Sequence, residues 1–195
     1  MDKKYLDLFN VQEGQLREVL EIALQRGGDY ADLYFEYTVS NELSLRDGEV
    51  NAVSSNIDYG VGIRVVSGDK TGFAFTEQTT LAEMKNAARI AAQIATLPDS
   101  VTNIPAAFTP VKGTNYSPIL SPWEDHSVTE KMGWLTSLNE KVFAKDSRIT
   151  KVLERLTDSN TKLLFDNSLG ESFTAERPIA ALVVTCVMEE NGRIE

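Results

Sequence analysis

Asn56-Ile-Asp-Tyr-Gly-Val-Gly-Ile-Arg-Val-Val-Ser-Gly-Asp-Lys-Thr-Gly-Phe-Ala-Phe75 decides the fold class, because it reads as two strands about a tight turn. In the first strand, alternation puts Val61, Ile63 and Val65 on one face and Gly60, Gly62 and Arg64 on the other. Ser67-Gly68-Asp69-Lys70 supplies the reverse turn. Beyond it Phe73 and Phe75 share one face, with Gly72 and Ala74 opposite. The expectation is a hairpin with a bulky side and a shaved side. Glycine inside a strand marks a bulge, or a place where another backbone or a ligand comes close. Two occupants suit the shaved side: a helix, or a groove in which Arg64 meets a substrate carboxylate or a partner's acid.

The helix is at hand. Thr80-Leu-Ala-Glu83 is a capping box, and Ala87, Ala88, Ala91, Ala92 and Ala95 give the helix it opens a flat face. Alanine against the glycines of the shaved side is the expected seam. A phosphate cradle fits worse, since the third glycine of G-x-G-x-x-G falls on Val65 and the segment continues as strand.

Upstream, a helix is predicted after Asn10, with Leu16, Val19, Leu20, Ala23 and Leu24 on one face and Gly27-Gly28 closing it. Tyr30 to Val39 alternates as a half-buried strand. Turns at Ser40-Asn41 and Asp47-Gly48 then divide a meander through Leu43–Leu45 and Val50–Val53. Residues 98–126 hold five of the six prolines and read as an extended connector. Ser127-Val-Thr-Glu130 opens a further helix with Val128, Met132, Leu135, Leu138 and Val142 as its apolar stripe. Sliding the chain so that Thr38 falls on Thr157 also lays Ser40, Asn41, Leu45 and Asp47 on Ser159, Asn160, Leu164 and Asp166. It lays Ile63 and Val65 on Leu182 and Val184. The fold class is therefore α+β: two helix-plus-antiparallel-sheet lobes, 1–97 and 127–195, an internal structural repeat in outline, joined by the Pro-rich connector.

Three stretches carry a resemblance: Asp29-Tyr-Ala-Asp-Leu-Tyr-Phe35, Asn56-Ile-Asp-Tyr-Gly-Val-Gly-Ile-Arg-Val65 and Ser67-Gly-Asp-Lys-Thr-Gly-Phe-Ala74. In that order and spacing the chain resembles the N-terminal region of the TldD/PmbA family, its TldD branch more than its PmbA branch. The likeness implies a zinc metallopeptidase acting on small or unfolded peptides as a homo- or hetero-dimer. It also implies that zinc is held in a C-terminal domain, by a His-Glu-x-x-x-His helix and a later cysteine. Nothing here matches that motif. The sequence has one histidine, His126, and one cysteine, Cys186, whereas a catalytic zinc takes three protein ligands and an open position. No catalytic or metal residue is assigned, and no cofactor is expected in this chain. The chain is expected to be an N-terminal, non-catalytic region whose Arg64, Gly60 and Gly62 guide substrate, with exposed strand edges to pair with an extended peptide. The expected continuation after Glu195 is the return strand of a hairpin and then the catalytic domain. The alternative is a non-enzymatic intracellular binding or regulatory module.

Charge and composition narrow the partners. A formal charge of −10 argues against direct binding of nucleic acid. No apolar run approaches the roughly 20 residues of a membrane span, and the N-terminus lacks the apolar core of a signal peptide, so a cytoplasmic location is expected. His126, beside Glu124 and Asp125, reads as a solvated helix entry rather than a base. Cys186 sits in Ala180-Ala-Leu-Val-Val-Thr-Cys-Val187 and reads as a buried, quiet thiol. Asp29, Asp32, Glu36, Asp47 and Glu49 read as solvated strand acids, or as a hard-cation site if the strands converge.

Overall fold

The computed structural model describes residues 1–95, 102–111 and 118–194. Its elements run α1 (Lys3–Phe9), α2 (Glu13–Leu24), β1 (Tyr30–Arg46), β2 (Glu49–Ser67), β3 (Lys70–Thr76), α3 (Leu81–Ala95) and β4 (Thr109–Pro110). A 3-10 turn (Trp123–Asp125), α4 (Val128–Phe143), β5 (Ile149–Asn167), β6 (Glu171–Glu190) and β7 (Arg193–Ile194) follow. The strand order is β3-β2-β1-β5-β6-β4, with β7 on β6, and the fold is α+β as read from the sequence.

The chain has two compact units, and neither is continuous in sequence. Unit 1 is Met1–Tyr37, Asp58–Tyr116 and Thr161–Glu176; unit 2 is Thr38–Ile57, Ser117–Asn160 and Arg177–Glu195. The expected lobes 1–97 and 127–195 follow chain order, whereas the units do not, because β1, β2, β5 and β6 each pass from one unit into the other. That length comes from a turn that is absent. Ser40-Asn41 does not break β1, which runs unbroken to Arg46, because the Asn41 amide is used up in donating to Asp158 Oδ1 at 2.9 Å. The turns at Asp47-Gly48 and Gly68-Asp69 are where the sequence puts them, with Asp47, Gly48 and Gly68 all at positive φ.

In unit 1, α1 is a helix the sequence reading missed: Asp2 accepts from Lys4 N at 2.9 Å as its N-cap, and Asn10 closes it in the left-handed region at φ 52°. Its Phe9 is fully buried beside Phe35, rings 5.3 Å apart. Helix α2 buries the predicted face, Leu16, Val19, Leu20, Ala23 and Leu24. These meet Leu33, Phe35, Val61, Ile63, Val65 and the α3 alanines in one core.

The hairpin register corrects the shaved side. Val65 pairs with Gly72 and Ile63 with Ala74, while Arg64 pairs with Phe73 and Gly62 with Phe75. Paired residues share a face, so each face of the hairpin holds bulk from one strand and small residues from the other. The alanine helix therefore sits on Gly72, not on Gly60 and Gly62. A Cβ at Gly72 would lie 1.9 Å from the Ala91 carbonyl oxygen.

Of the connector, residues 98–101 and 112–117 lie outside the described residues. Elsewhere along it Asn103 Nδ2 donates to Gly28 O at 2.7 Å, and Thr109–Pro110 pairs in parallel with Glu171–Ser172.

In unit 2 the predicted capping box is half made: Ser127 Oγ accepts from Glu130 N at 3.2 Å, but the Glu130 carboxylate turns to His126. The α4 stripe is rotated from the apolar one expected. Lys131, Leu135 and Asn139 are buried while Val128 is exposed. A buried charge needs a partner, and Lys131 Nζ meets Asp158 Oδ2 at 2.8 Å. The apolar cluster is correspondingly small: Leu43, Leu45, Leu135 and Leu156, with Met132 against it. The supposed counterparts across the repeat also differ in setting, since Ile63 and Val65 are buried whereas Leu182 and Val184 are exposed.

Candidate functional site

Arg64 stands on the face of the unit 1 sheet away from the helices, and its guanidinium already holds a carboxylate. Nε donates to Asp32 Oδ2 at 2.8 Å and Nη2 to the same oxygen at 2.5 Å. This bond holds the arginine firmly protonated. The Tyr30 ring lies beneath it, 5.8 Å from ring centre to Cζ, and burial followed by the Asp32 charge pushes the Tyr30 phenol up. About half of the Arg64 side chain stays exposed.

Gly60 and Gly62, placed with Arg64 by the sequence, prove to be shaped by β3. At Gly60, φ 156°, a Cβ would come 2.6 Å from the Thr76 carbonyl oxygen. At Gly62 it would meet the Phe73 ring at 3.0 Å. Phe73 thus lies over Gly62, and Phe73 and Phe75 remain exposed beside Arg64. The result is a cation flanked by aromatic rings on a sheet surface.

The second candidate was not legible as a motif. In unit 2 a cavity of about 360 Å³ touches Ser40, Asn41 and Glu42 of β1, Ser54, Ser55 and Asn56 of β2, Thr157, Asp158 and Ser159 of β5, and Ile179 of β6. It reaches all four strands, so the sheet curves around it. A neighbouring cavity of about 420 Å³ shares Glu42 and adds Ser44, Leu45, Arg46, Asn51, Leu153, Arg155, Val183, Thr185 and the buried carboxylate of Glu154, which burial pushes up. Arg155 Nη2 donates to Glu42 Oε2 at 2.6 Å between the two. The signal lay in the alternation: Ser40, Glu42 and Ser44 interleave with Leu43 and Leu45, which face α4.

His126 is held at the entrance to α4. Nε2 shares a hydrogen bond with Ser121 Oγ at 2.9 Å, Nδ1 lies 3.2 Å from Glu130 Oε1, and the Trp134 ring packs 5.1 Å away. Cys186 is exposed, a correction to the buried thiol expected. The reason is its strand: β6 from residue 177 to 186 is exposed on both faces. The strand acids do not converge either. Asp29 accepts from Gly68 N, Asp32 from Arg64, and Asp47 from Val152 N. Among the described residues no three His, Cys, Asp or Glu side chains stand together as a metal would need. The donors present do not fit zinc, so no chemical step in this chain is routed through it. Among the described residues no helix is long and apolar enough to cross a membrane.

In unit 1 α2 and α3, and in unit 2 α4, pack on one face of antiparallel strands, an α+β arrangement. Comparison with known proteins then gives the family. Residues 31–95 match the PmbA/TldA metallopeptidase domain 1, and residues 121–195 match the PmbA/TldA metallopeptidase central domain. The chain belongs to the TldD/PmbA family. It is 32% identical over 186 residues to the metalloprotease TldD homolog of Haemophilus influenzae, covering 95% of this chain and 39% of that protein. Against the metalloprotease TldD homolog of Buchnera aphidicola subsp. Schizaphis graminum it is 29% identical, covering 86% of this chain and 34% of that one. The chain thus spans about two fifths or less of these relatives. Among solved structures, TldE from Thermococcus kodakarensis has a TM-score of 0.64 at 16% identity, covering 92% of this chain and 40% of that one. A candidate DNA gyrase modulator from Thermotoga maritima gives 0.68 at 20% identity, covering 92% and 40%. These structural likenesses support the fold.

Proposed function

We propose that this chain is the N-terminal, non-catalytic region of a TldD/PmbA-like zinc metallopeptidase that acts on small or unfolded peptides. Its tasks are to shape substrate access and to contribute contacts within a homo- or hetero-dimer of TldD/PmbA-type subunits in the cytoplasm. The observation that carries this reading is the order of matches, domain 1 and then central domain, in a chain that covers 39% of a relative named a metalloprotease. Zinc belongs, on this reading, to a part of the family absent from these 195 residues. It would supply a polarised water as nucleophile there.

What this chain supplies is surface. The half-exposed Arg64 side chain, over Tyr30 and beside Phe73 and Phe75, suits a carboxylate and an apolar side chain of a passing peptide. Gly60 and Gly62 keep that surface low by leaving room for the end of β3 and for the Phe73 ring.

Cleavage of an unfolded peptide pool by a longer protein containing this region, with and without a chelator, tests the reading. Expected are chelator-sensitive cleavage by the longer protein and none by the 195-residue chain. A longer protein that binds no zinc and cleaves nothing overturns it.

A further inference from the structure

We propose that Ser121, His126 and Glu130 form a nucleophilic-serine site that takes an acyl group from an activated, uncharged ester. The site lies wholly within unit 2, its chemistry needs no metal, and it does not rest on the peptidase reading above.

Three side chains around the entrance to α4 stand in line. Ser121 Oγ is 2.9 Å from His126 Nε2, and His126 Nδ1 is 3.2 Å from Glu130 Oε1. An ionised carboxylate only accepts, so the Nδ1 proton lies toward Glu130. The neutral ring then carries its lone pair on Nε2, and Ser121 is the donor to it. That is the order of nucleophile, base and orienting acid that activates a serine. Glu130 is diverted to complete it. As the third residue of α4, with Ser127 as N-cap, it would ordinarily accept from the Ser127 N–H, yet it faces the imidazole instead. No G-x-S-x-G surrounds Ser121, so the array is made by the 3-10 turn and not by a nucleophile elbow.

The surroundings hold the base and select the substrate. The turn that carries the imidazole is pinned along its length. Lys131 Nζ lies 5.5 Å over the Trp123 ring, Asn160 Nδ2 donates to Glu124 Oε1 at 2.6 Å, and His126 N donates to Trp123 O at 3.3 Å. A base held this way loses little freedom on reaction. Ser121 is exposed, so an acyl carbonyl can reach it. The Trp123 and Trp134 rings stand 6.3 and 5.1 Å from the imidazole, and Leu120, beside Ser121, is 91% exposed. Such walls favour an apolar acyl chain. Lys131 is committed to Asp158 and offers no charge to an anionic substrate. The first N–H groups of α4 have no intrahelical partner and favour a developing oxyanion. In the reaction Oγ bonds to the acyl carbon, its proton passes to Nε2 and on to the leaving oxygen, and the ester C–O bond breaks. Water repeats the sequence, releasing the acid and restoring Ser121.

The test incubates the chain with p-nitrophenyl butyrate, a chelator present throughout, and follows p-nitrophenolate release together with peptide mass mapping. One butyryl group on Ser121 is expected. Ser121→Ala should lose the label and bring release to background, whereas Ser121→Cys, which keeps a nucleophile of similar size, should retain both. His126→Gln should slow acylation by about a hundredfold or more. Glu130→Gln holds the ring less firmly, so it should lower kcat by about tenfold or more with KM unchanged, a split that loss of a merely structural contact would not give. The label is mapped on the unaltered protein, so a misfolded variant does not blur the answer. Label confined to lysines, or no label at all, overturns the proposal. Release undiminished in Ser121→Ala gives the reaction to the imidazole alone and also overturns it. Equal labelling of Ser121 in His126→Gln, or full rate in Glu130→Gln, breaks the three-residue site.

Discussion

Arg64 binds Asp32 through Nε and Nη2 at 2.8 and 2.5 Å, and the two partners differ sharply in exposure: 49% of the arginine side chain against 6% of the aspartate's. The pair is therefore asymmetric. Removing the arginine strands a buried carboxylate; removing the aspartate leaves a cation that water can solvate.

Arg64→Ala is expected to destabilise the chain by about 1–3 kcal/mol, the range for stranding a buried hydrogen-bonding partner, at the low end because the arginine side chain is half exposed. Arg64→Ala combined with Asp32→Asn should recover part of that loss, since the neutral amide is cheaper to bury. Urea midpoints of the two single variants and the double variant close the cycle. An unchanged midpoint for Arg64→Ala would mean that the pair does not hold the fold, leaving peptide guidance as the whole role of Arg64.

The hairpin glycines are expected to separate by position. Gly72→Ala drives a methyl to 1.9 Å from the Ala91 carbonyl oxygen, a backbone atom that cannot yield without moving α3. A loss above about 3 kcal/mol is expected, beyond ordinary overpacking. Gly62→Ala meets only the Phe73 ring, at 3.0 Å, and Phe73 is 58% exposed and able to swing away. Its cost should stay within the range of about 0.5–1.5 kcal/mol typical of a side chain held off its best rotamer. Thermal melts of the two variants rank them, and equal melting temperatures would contradict the register.

These two glycines also show how far the sequence could be read. The hairpin, its turn and its alternating faces were legible, because alternation and Gly-Asp chemistry are local. Which strand's glycine met the helix was not, because it depends on cross-strand register, and Val65 opposite Gly72 cannot be read from either strand alone. For the same reason the β1 turn at Ser40-Asn41 was misplaced: the residues that cancel it, Asp158 and its neighbours on β5, are far away in sequence. Lys131 broke an apolar stripe on α4 because its partner is equally remote. The Arg64 site was legible as a cation between glycines; the unit 2 cavity was not, since serines alternating with leucines look like any solvated strand.

Asp166 makes stability depend on pH. It is fully buried, and burial lifts its pKa from 3.8 to about 7, a hydrogen bond with Ser172 opposing the rise and the Glu13 charge adding to it. The folded state thus holds the proton more tightly than the unfolded state. This contribution is complete below the unfolded value, falls as pH rises from about 4 through about 7, and is flat above that. On the order of 4 kcal/mol is at stake over the window. Asp166→Asn should flatten the slope and be the more stable form at pH 8. Chemical denaturation at pH 5, 6, 7 and 8 checks it, and parallel slopes for the two proteins would refute it.

Lys131 and Asp158 present the opposite case, a charge pair buried on both sides, at 4% and 2% side-chain exposure and 2.8 Å. Lys131→Met should cost about 3–5 kcal/mol, because the uncompensated carboxylate stays in an apolar cluster of only four buried side chains. Adding Asp158→Leu removes that charge, and for an isolated pair would restore most of the stability. Here recovery should fall short, since Asn41 Nδ2 donates to Asp158 Oδ1 and would lose its acceptor. A further Asn41→Val should then close most of the remaining gap, valine being a good strand former. Stepwise urea melts along this series distinguish a pair kept for stability from one that fixes the seating of α4. Full recovery in the double variant would show that the Asn41 bond carries no weight, whereas a triple variant that is stable but shows poorly dispersed α4 resonances would show that the pair sets the helix in register.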